Sequence, residues 1–339
     1  MRRKLTQVLQ FIVFLGVGIA LLYLAFKDMD FQMLWQDLKS ANYFWVSLSL
    51  LAGVVAYWSR AVRWRLLIEP LGHKPPLSSV FFAVMIGYLA NFAFPRIGEV
   101  TRCGALAKSQ KIPLDSLLGT VIIERGFDLI CLILLLVIIL LAKLSTVGGF
   151  LYSAIWVPLQ DKFISILAIG FWWWMGIVLA VATGIWILYF LRRKVRKSAL
   201  YLKLRNIFKG VGEGLRTIAK MKNRKKFILH TFIIWGSYYL MTYLVFFALP
   251  YTSMLSPIDG VFILVVGGIG MSAPVQGGIG AYHWLVSMAL MLYGVTKEEG
   301  LVYATLSHET QTILAIILGF ISIIAFWYQR NHAQLKQNS

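Results

Sequence analysis

Residues 91–102, NFAFPRIGEVTR, place two arginines and a glutamate directly after an apolar run that begins at Val80. The proline and the glycine in this stretch predict that one helix ends here and another begins. A helix start presents free N–H groups and the positive end of its dipole, which together bind anions. Arg96 and Arg102 suit a phosphate, because a guanidinium group donates to two oxygens at once. Glu99 could order these arginines or carry a coupling proton.

Three more charged residues, Glu124, Arg125 and Asp128, lie inside the apolar segment LLGTVIIERGFDLICLILLL. A charge at the bilayer centre costs about 2.5–3.5 kcal/mol on insertion scales, so three together need partners. Glu124 and Asp128 are four residues apart and share a helical face, and Arg125 can also reach Asp128. This face is expected to look into the protein or a wet cavity. Its charges either handle a substrate or proton, or form a structural ion cluster.

Other polar residues give weaker signals. Arg60 and Arg63 lie on adjacent turns of SRAVRWRLLIEPLG, where we favour a basic anchor at the membrane surface over lipid headgroup binding. His308 and Glu309 lie near the start of the last apolar stretch, and His283 follows a glycine-rich break. Because adjacent residues point to different helix faces, we expect no metal site there. The sequence has no cofactor-binding motif, and no cofactor is expected.

The composition indicates that these charges belong to a membrane protein. Of 339 residues, 59% are hydrophobic, whereas soluble domains are about 45–50% apolar. Six stretches are long enough to span a bilayer, roughly 8–26, 43–62, 116–142, 163–190, 227–249 and 301–328. Of two further apolar stretches, 77–94 ends in the motif NFAFPRIGEVTR, and 258–293 is broken near its middle by SAPVQGGIGAYHW. The sequence therefore predicts a single all-α polytopic membrane domain over 1–339, with about six full spans and two broken or re-entrant helical elements.

Basic residues predict the orientation of the chain. The loop 191–226 carries fourteen Lys and Arg residues against one acid, Glu213, and is expected to be cytoplasmic, as is the basic N-terminus. The number of crossings between them must then be even, so the stretch 77–94 is expected to enter and leave on the same side. The tail 329–339 is then cytoplasmic too. The net charge of +19 favours contact with anionic lipid, and no nucleic acid partner is expected.

The two breaks share one pattern: glycine, an apolar stretch, proline and glycine again, at Gly87–Glu99 and Gly267–His283. Paired interrupted helices in corresponding halves indicate a transporter site near the bilayer midplane, and they are compatible with an inverted repeat. Irregular backbone is tolerated at that depth only where protein or a wet cavity satisfies its polar groups. Ordinary kinks or surface loops are the alternative.

The motifs RAVRWRLL, NFAFPRIGEVTR, TVIIERGFDL and APVQGGIGAYHW closely resemble the flippase-like membrane domain of lysylphosphatidylglycerol synthases, over about 5–328. The resemblance implies a multi-pass protein of the inner (plasma) membrane, which in some members moves aminoacylated phospholipid between leaflets. By matching motif, it implies a substrate site lined by Asn91, Pro95, Arg96, Gly98, Glu99, Arg102, Glu124, Arg125 and Asp128. The second break completes the predicted site with Gln276, Gly277, Gly278 and His283. His283 lies near the place where the family often has an acidic residue.

The synthases also carry a soluble C-terminal aminoacyltransferase domain. No such domain is found in residues 1–339, so no enzyme activity is expected. The leading hypothesis is a translocase for a phospholipid or a polyprenyl-phosphate-linked lipid, with Arg96, Arg102 and Arg125 holding the phosphate. The alternative is a membrane subunit that presents lipid to a separate synthase or glycosyltransferase. An ion or small-solute carrier also stays open. An intramembrane enzyme has little support, since no nucleophile is evident.

Overall fold

The computed structural model describes residues 16–27, 29–142 and 221–338, with the single positions 183 and 186, and gives side chains through 329. Within these residues all regular structure is helical, which confirms the all-α prediction. In chain order the helices are α1 (Gly16–Phe26), α2 (Phe31–Ser40), α3 (Tyr43–Ile68), α4 (Leu77–Ala93), α5 (Gly98–Gln110), α6 (Leu114–Ala142), α7 (Arg224–Phe246), α8 (Pro257–Met271), α9 (Ala281–Met291) and α10 (Lys297–Asn338). Short 3-10 turns lie at Glu69–Leu71 and Gln276–Gly278.

Four of the described helices, α3, α6, α7 and α10, are long and apolar enough to cross a membrane. They confirm, in length and composition, the spans predicted at 43–62, 116–142, 227–249 and 301–328. α1 is a shorter apolar helix within the predicted span 8–26. The predicted span 163–190, except for positions 183 and 186, and most of the basic loop 191–226 lie outside the described residues.

Side-chain caps fix where several helices begin. The Asn42 side chain accepts a hydrogen bond from the second residue of α3 at 3.1 Å. Ser256 and Asp259 form a reciprocal capping box at the start of α8. Thr296 and Glu299 form the same arrangement at α10. Such caps satisfy N–H groups that the first helical turn leaves without partners, so these helix starts are encoded by local sequence.

α4 and α5 form the first hairpin, an antiparallel helix pair joined by residues 94–97. Contacts run in opposite directions along the two helices, because Gly87 lies against Arg102 whereas Asn91 lies against Gly98. A Cβ atom on Gly98 would overlap the backbone carbonyl oxygen of Gly87, so only glycine allows this approach. The stretch 77–94 is the single helix α4, and the chain reverses only after it, so the re-entrant element stays a prediction.

α8 and α9 form the second hairpin, joined by residues 272–280. The backbone of Tyr282 lies against Gly270, where a Cβ atom would come within 2.8 Å of the Tyr282 Cα. Further from the connection, the rings of Phe262 and Tyr293 are 5.9 Å apart, so this pair is also antiparallel. The connection contains three glycines with φ between +57° and +81°, a region that other residues rarely adopt.

The two hairpins contact one another at their connections, and both pack against α10. The Phe92 ring lies against Gly277, where a Cβ atom would come within 2.6 Å of the ring. The Arg96 guanidinium donates to the carbonyl oxygen of Ser272 at 2.8 Å. The two stretches that the sequence showed as broken are therefore neighbours in space.

Contact density divides the chain into two compact units, residues 1–125 with 217–339, and residues 126–216. The boundary falls inside α6. Both hairpins lie in the first unit, together with every side chain described below except Asp128.

Candidate functional site

Glu124 of α6 is fully buried and accepts hydrogen bonds from four arginine side chains. Arg60 donates to Oε1 and Arg102 to Oε2, each at 2.8 Å. Arg63 and Arg125 donate to Oε1 at 3.4 Å. One carboxylate is therefore enclosed by guanidinium groups from α3, α5 and α6.

Helix spacing and aromatic packing position these arginines. Arg60 and Arg63 are three residues apart on α3 and face the same neighbour. The Arg102 guanidinium lies 4.5 Å from the centroid of the Trp64 ring, a cation–π distance. Trp64 is itself held by a hydrogen bond from its Nε1 to Thr120 at 2.9 Å. The indole therefore supports both α5 and α6 beside the buried carboxylate.

The prediction that Arg60 and Arg63 anchor the chain at the membrane surface is wrong. Arg60 is 5% exposed and Arg63 is 0% exposed, and both pair with Glu124. Arg65, by contrast, is paired with Glu69 at 3.7 Å nearer the surface. The sequence does place two arginines on one face of a helix and an acid inside an apolar segment that needs partners. Taken together, these two features would have predicted the ion pairs.

A small cleft opens beside this cluster, between α3, α4, α5 and α6. Its polar lining consists of Arg60, Tyr88, Asn91, Glu99, Arg102 and Arg125. The cavity volume is about 20 Å³, room for about one water molecule. A phosphate therefore enters only if lining side chains move.

Among the described residues, four arginine side chains donate to Glu124, and arginine keeps its charge even when buried. Glu99 Oε1 lies 3.9 Å from Arg125 Nε, and these two side chains are 31% and 44% exposed. Arg60, Arg102 and Arg125 line the cleft, so an anion that enters it would meet guanidinium donors.

The start of α5 is capped by the protein itself. Asn91 Oδ1 accepts a hydrogen bond from the backbone N–H of Gly98 at 2.7 Å. The prediction that this helix start offers its free N–H groups to an anion is therefore wrong for Gly98. Pro95 lies in the connection before α5 and does not line the cleft.

Arg96 lies apart from the Glu124 cluster. Its side chain donates to Ser272 in the second hairpin, and its φ of +61° is unusual for a residue with a side chain. The predicted grouping of Arg96 with Arg102 and Arg125 is therefore not found. The physical reason is the left-handed backbone at Arg96, which reverses the chain immediately before α5.

The predicted residues of the second break also lie outside the cleft, at Gln276, Gly277, Gly278 and His283. His283 Nε2 lies 3.5 Å from Glu309 Oε1, and His308 Nδ1 lies 2.9 Å from the same oxygen. The argument that His308 and Glu309 point to different faces is therefore wrong, because the Glu309 side chain folds back onto its neighbour.

Asp128 lies one helical turn beyond Glu124, half-buried, in the second unit. The structure thus brings five of the predicted site residues together around Glu124, namely Asn91, Gly98, Glu99, Arg102 and Arg125. Their role in binding a substrate stays a prediction.

Comparison with known proteins agrees with these motifs. The family described as the lysylphosphatidylglycerol synthase TM region matches residues 8–319. A UPF0104 membrane protein of Methanothermobacter thermautotrophicus is 25% identical over 277 residues, which cover 77% of this chain and 79% of that protein. A UPF0104 membrane protein of Methanocaldococcus jannaschii is 28% identical over 94 residues, 27% of this chain and 28% of that one. No solved structure matches. This chain belongs to the family of lysylphosphatidylglycerol synthase transmembrane regions.

Proposed function

We propose that this protein is a lipid translocase that binds the phosphate headgroup of a phospholipid or a polyprenyl-phosphate lipid at the cleft beside Glu124. The observation that carries the proposal is the ring of four arginines around one buried carboxylate. A phosphate is bound well by planar guanidinium groups, and a lipid brings it to membrane depth. The acyl or prenyl chains stay in the surrounding hydrocarbon.

Headgroup entry requires the mouth of the cleft to open. Arg125 and Glu99 are its most mobile candidates, because they are partly exposed and their ion pair is long at 3.9 Å. When Arg125 and Glu99 separate, Arg102 can share its donors between Glu124 and a phosphate oxygen. Glu99 is then placed to accept a headgroup amine, which suits a zwitterionic or aminoacylated lipid as well as an anionic one.

The proposal places the protein in the plasma membrane with both termini cytoplasmic, because the basic loop and the N-terminus obey the positive-inside rule. It assigns no enzymatic step to the chain. The antiparallel hairpin α4–α5 supports a re-entrant element, since the chain reverses direction between these two helices.

The test is leaflet exchange in liposomes that contain the purified protein alone. Fluorescent phosphatidylglycerol, its lysyl form and a polyprenyl phosphate are compared as substrates. Arg125→Gln removes a cluster charge at the partly exposed mouth, and we expect it to slow exchange at least tenfold. Arg65→Gln is the matched control, because Arg65 carries the same charge but pairs with Glu69 outside the cluster.

Equal exchange by the wild type and Arg125→Gln would contradict the headgroup site. If folded wild-type protein exchanges none of the three lipids, the translocase proposal fails. The alternative, a membrane subunit that presents lipid to a separate synthase or glycosyltransferase, then becomes the better explanation, and co-purification of such an enzyme tests it.

A further inference from the structure

A second polar group lies beside the connection of the second hairpin, outside the Glu124 cluster. It consists of His283 on α9 with His308 and Glu309 on α10. Both imidazoles are buried, whereas the Glu309 side chain is 40% exposed. One ligand atom from each residue lies within 4.8 Å of the other two. The group is therefore buried on one side and reachable on the other.

Hydrogen bonding fixes which nitrogen of His308 faces this point. Its Nε2 lies 2.9 Å from the backbone carbonyl oxygen of Gly277. A carbonyl oxygen can only accept, so Nε2 carries the hydrogen and donates it. In the neutral ring Nδ1 then presents a lone pair towards Glu309 Oε1, 2.9 Å away. A carbonyl partner on the outer nitrogen is the usual support of a metal-binding histidine.

His283 supplies a third electron-pair donor. Its Nε2 lies 3.5 Å from the same oxygen of Glu309. Its buried Nδ1 makes no hydrogen bond with the described residues. The ring packs against those of Phe26 and His308, at centroid distances of 5.7 and 5.1 Å, which hold its orientation. His283 Nε2, His308 Nδ1 and Glu309 Oε1 thus converge, each with a lone pair. A metal ion could bind all three atoms, whereas a shared proton would join only two of them.

We propose that His283, His308 and Glu309 form a site for a divalent transition-metal cation with a preference of the zinc type. Two imidazoles and one carboxylate are a known ligand set for zinc, with an open fourth position. Ligands at about 2.0–2.1 Å in a tetrahedron lie about 3.3 Å from one another. The two separations from Glu309 Oε1, 2.9 and 3.5 Å, bracket that value. Nitrogen ligands disfavour magnesium and calcium, which take oxygen.

A bound cation would tie α9 to α10 next to the glycine connection, independently of any lipid at Glu124. Among the described residues, the ion-pair partners of Glu309 are His283 and His308. A divalent cation at this point would place positive charge beside the carboxylate. This proposal replaces the expectation from sequence that no metal binds here.

The experiment uses the full chain, purified through a tag without histidine and stripped with a chelator. Zinc binding is measured by equilibrium dialysis, and we expect one equivalent per chain. Glu309→Gln and His283→Gln are each expected to raise the Kd for zinc at least tenfold. His230→Gln is the control, since His230 lies on α7 outside the group, and it should bind as the wild type does.

Cobalt(II) gives a second readout that needs no variant. Visible absorption bands of tetrahedral cobalt with nitrogen ligands are expected on the wild type and should disappear when zinc is added. Wild-type protein that takes up no zinc and shows no such bands at saturating cobalt would overturn the proposal and leave a proton as the occupant. Zinc binding unchanged in both folded variants would overturn it as well.

Discussion

Glu124→Gln removes the negative charge from the centre of four arginines while nearly preserving the side-chain shape. At an effective dielectric constant of about 20, each contact at 2.8 Å represents about 6 kcal/mol of gross attraction. Most of that is offset by the desolvation of the ions, and removing one partner of a buried ion pair typically costs about 3–5 kcal/mol net. Glu124 has no exposed surface, so solvent does not screen the loss. We expect the free energy of unfolding to fall by about 3–5 kcal/mol.

The assay is reversible denaturation in detergent, followed by tryptophan fluorescence, without and with pyrophosphate or phosphatidylglycerol. Without anion, the variant lacks the carboxylate charge to which the four arginines donate. An anion that binds these arginines from the cleft should restore about 2.7 kcal/mol at about 100 times its Kd. Asp115→Asn is the control, because it removes the same charge from an exposed position of the same helix and should cost under about 1 kcal/mol. A Glu124→Gln loss that is no larger than the control's, or that anions leave unchanged, refutes the reasoning.

Three further predictions test the first hairpin and the cluster. Gly98→Ala should destabilise the protein by about 1–3 kcal/mol, because the added Cβ atom would meet the backbone of the facing helix. Gly104→Ala is the control and should be tolerated, because no atom lies within 4 Å of the added Cβ. Equal stability of the two variants in thermal unfolding would contradict this packing. Burial raises the pKa of the Cys103 thiol to about 11, so iodoacetamide at neutral pH should modify it only after unfolding, and mass spectrometry that finds it modified in the folded protein refutes its burial. Arg102→Lys keeps the charge but loses the planar contact with Trp64, so anion affinity should fall at least tenfold, and unchanged affinity in a binding titration shows that charge alone is recognised.

Much of the fold follows from the sequence because helix formation in a bilayer depends on local composition. The four long apolar runs that lie wholly within the described residues are helices of spanning length, and the two shorter runs, 77–94 and 258–293, take part in hairpins. The sequence also predicts that Glu124 is important, since a charge inside an apolar helix needs partners. It does not predict which residues those partners are, because Arg60 and Arg63 lie about sixty positions earlier and resemble a surface anchor.

The sequence by itself determined the membrane class, the helical architecture, the family and the charged residues that had to be satisfied. Hydropathy and short motifs decide these properties, and both are local. Only the tertiary structure decided that four arginines enclose one carboxylate, that Arg96 serves the second hairpin, and that His283 meets His308 and Glu309. These groupings depend on how closely distant helices approach. Glycines such as Gly98, between α4 and α5, and Gly300, between α9 and α10, allow close approach because they have no Cβ atom.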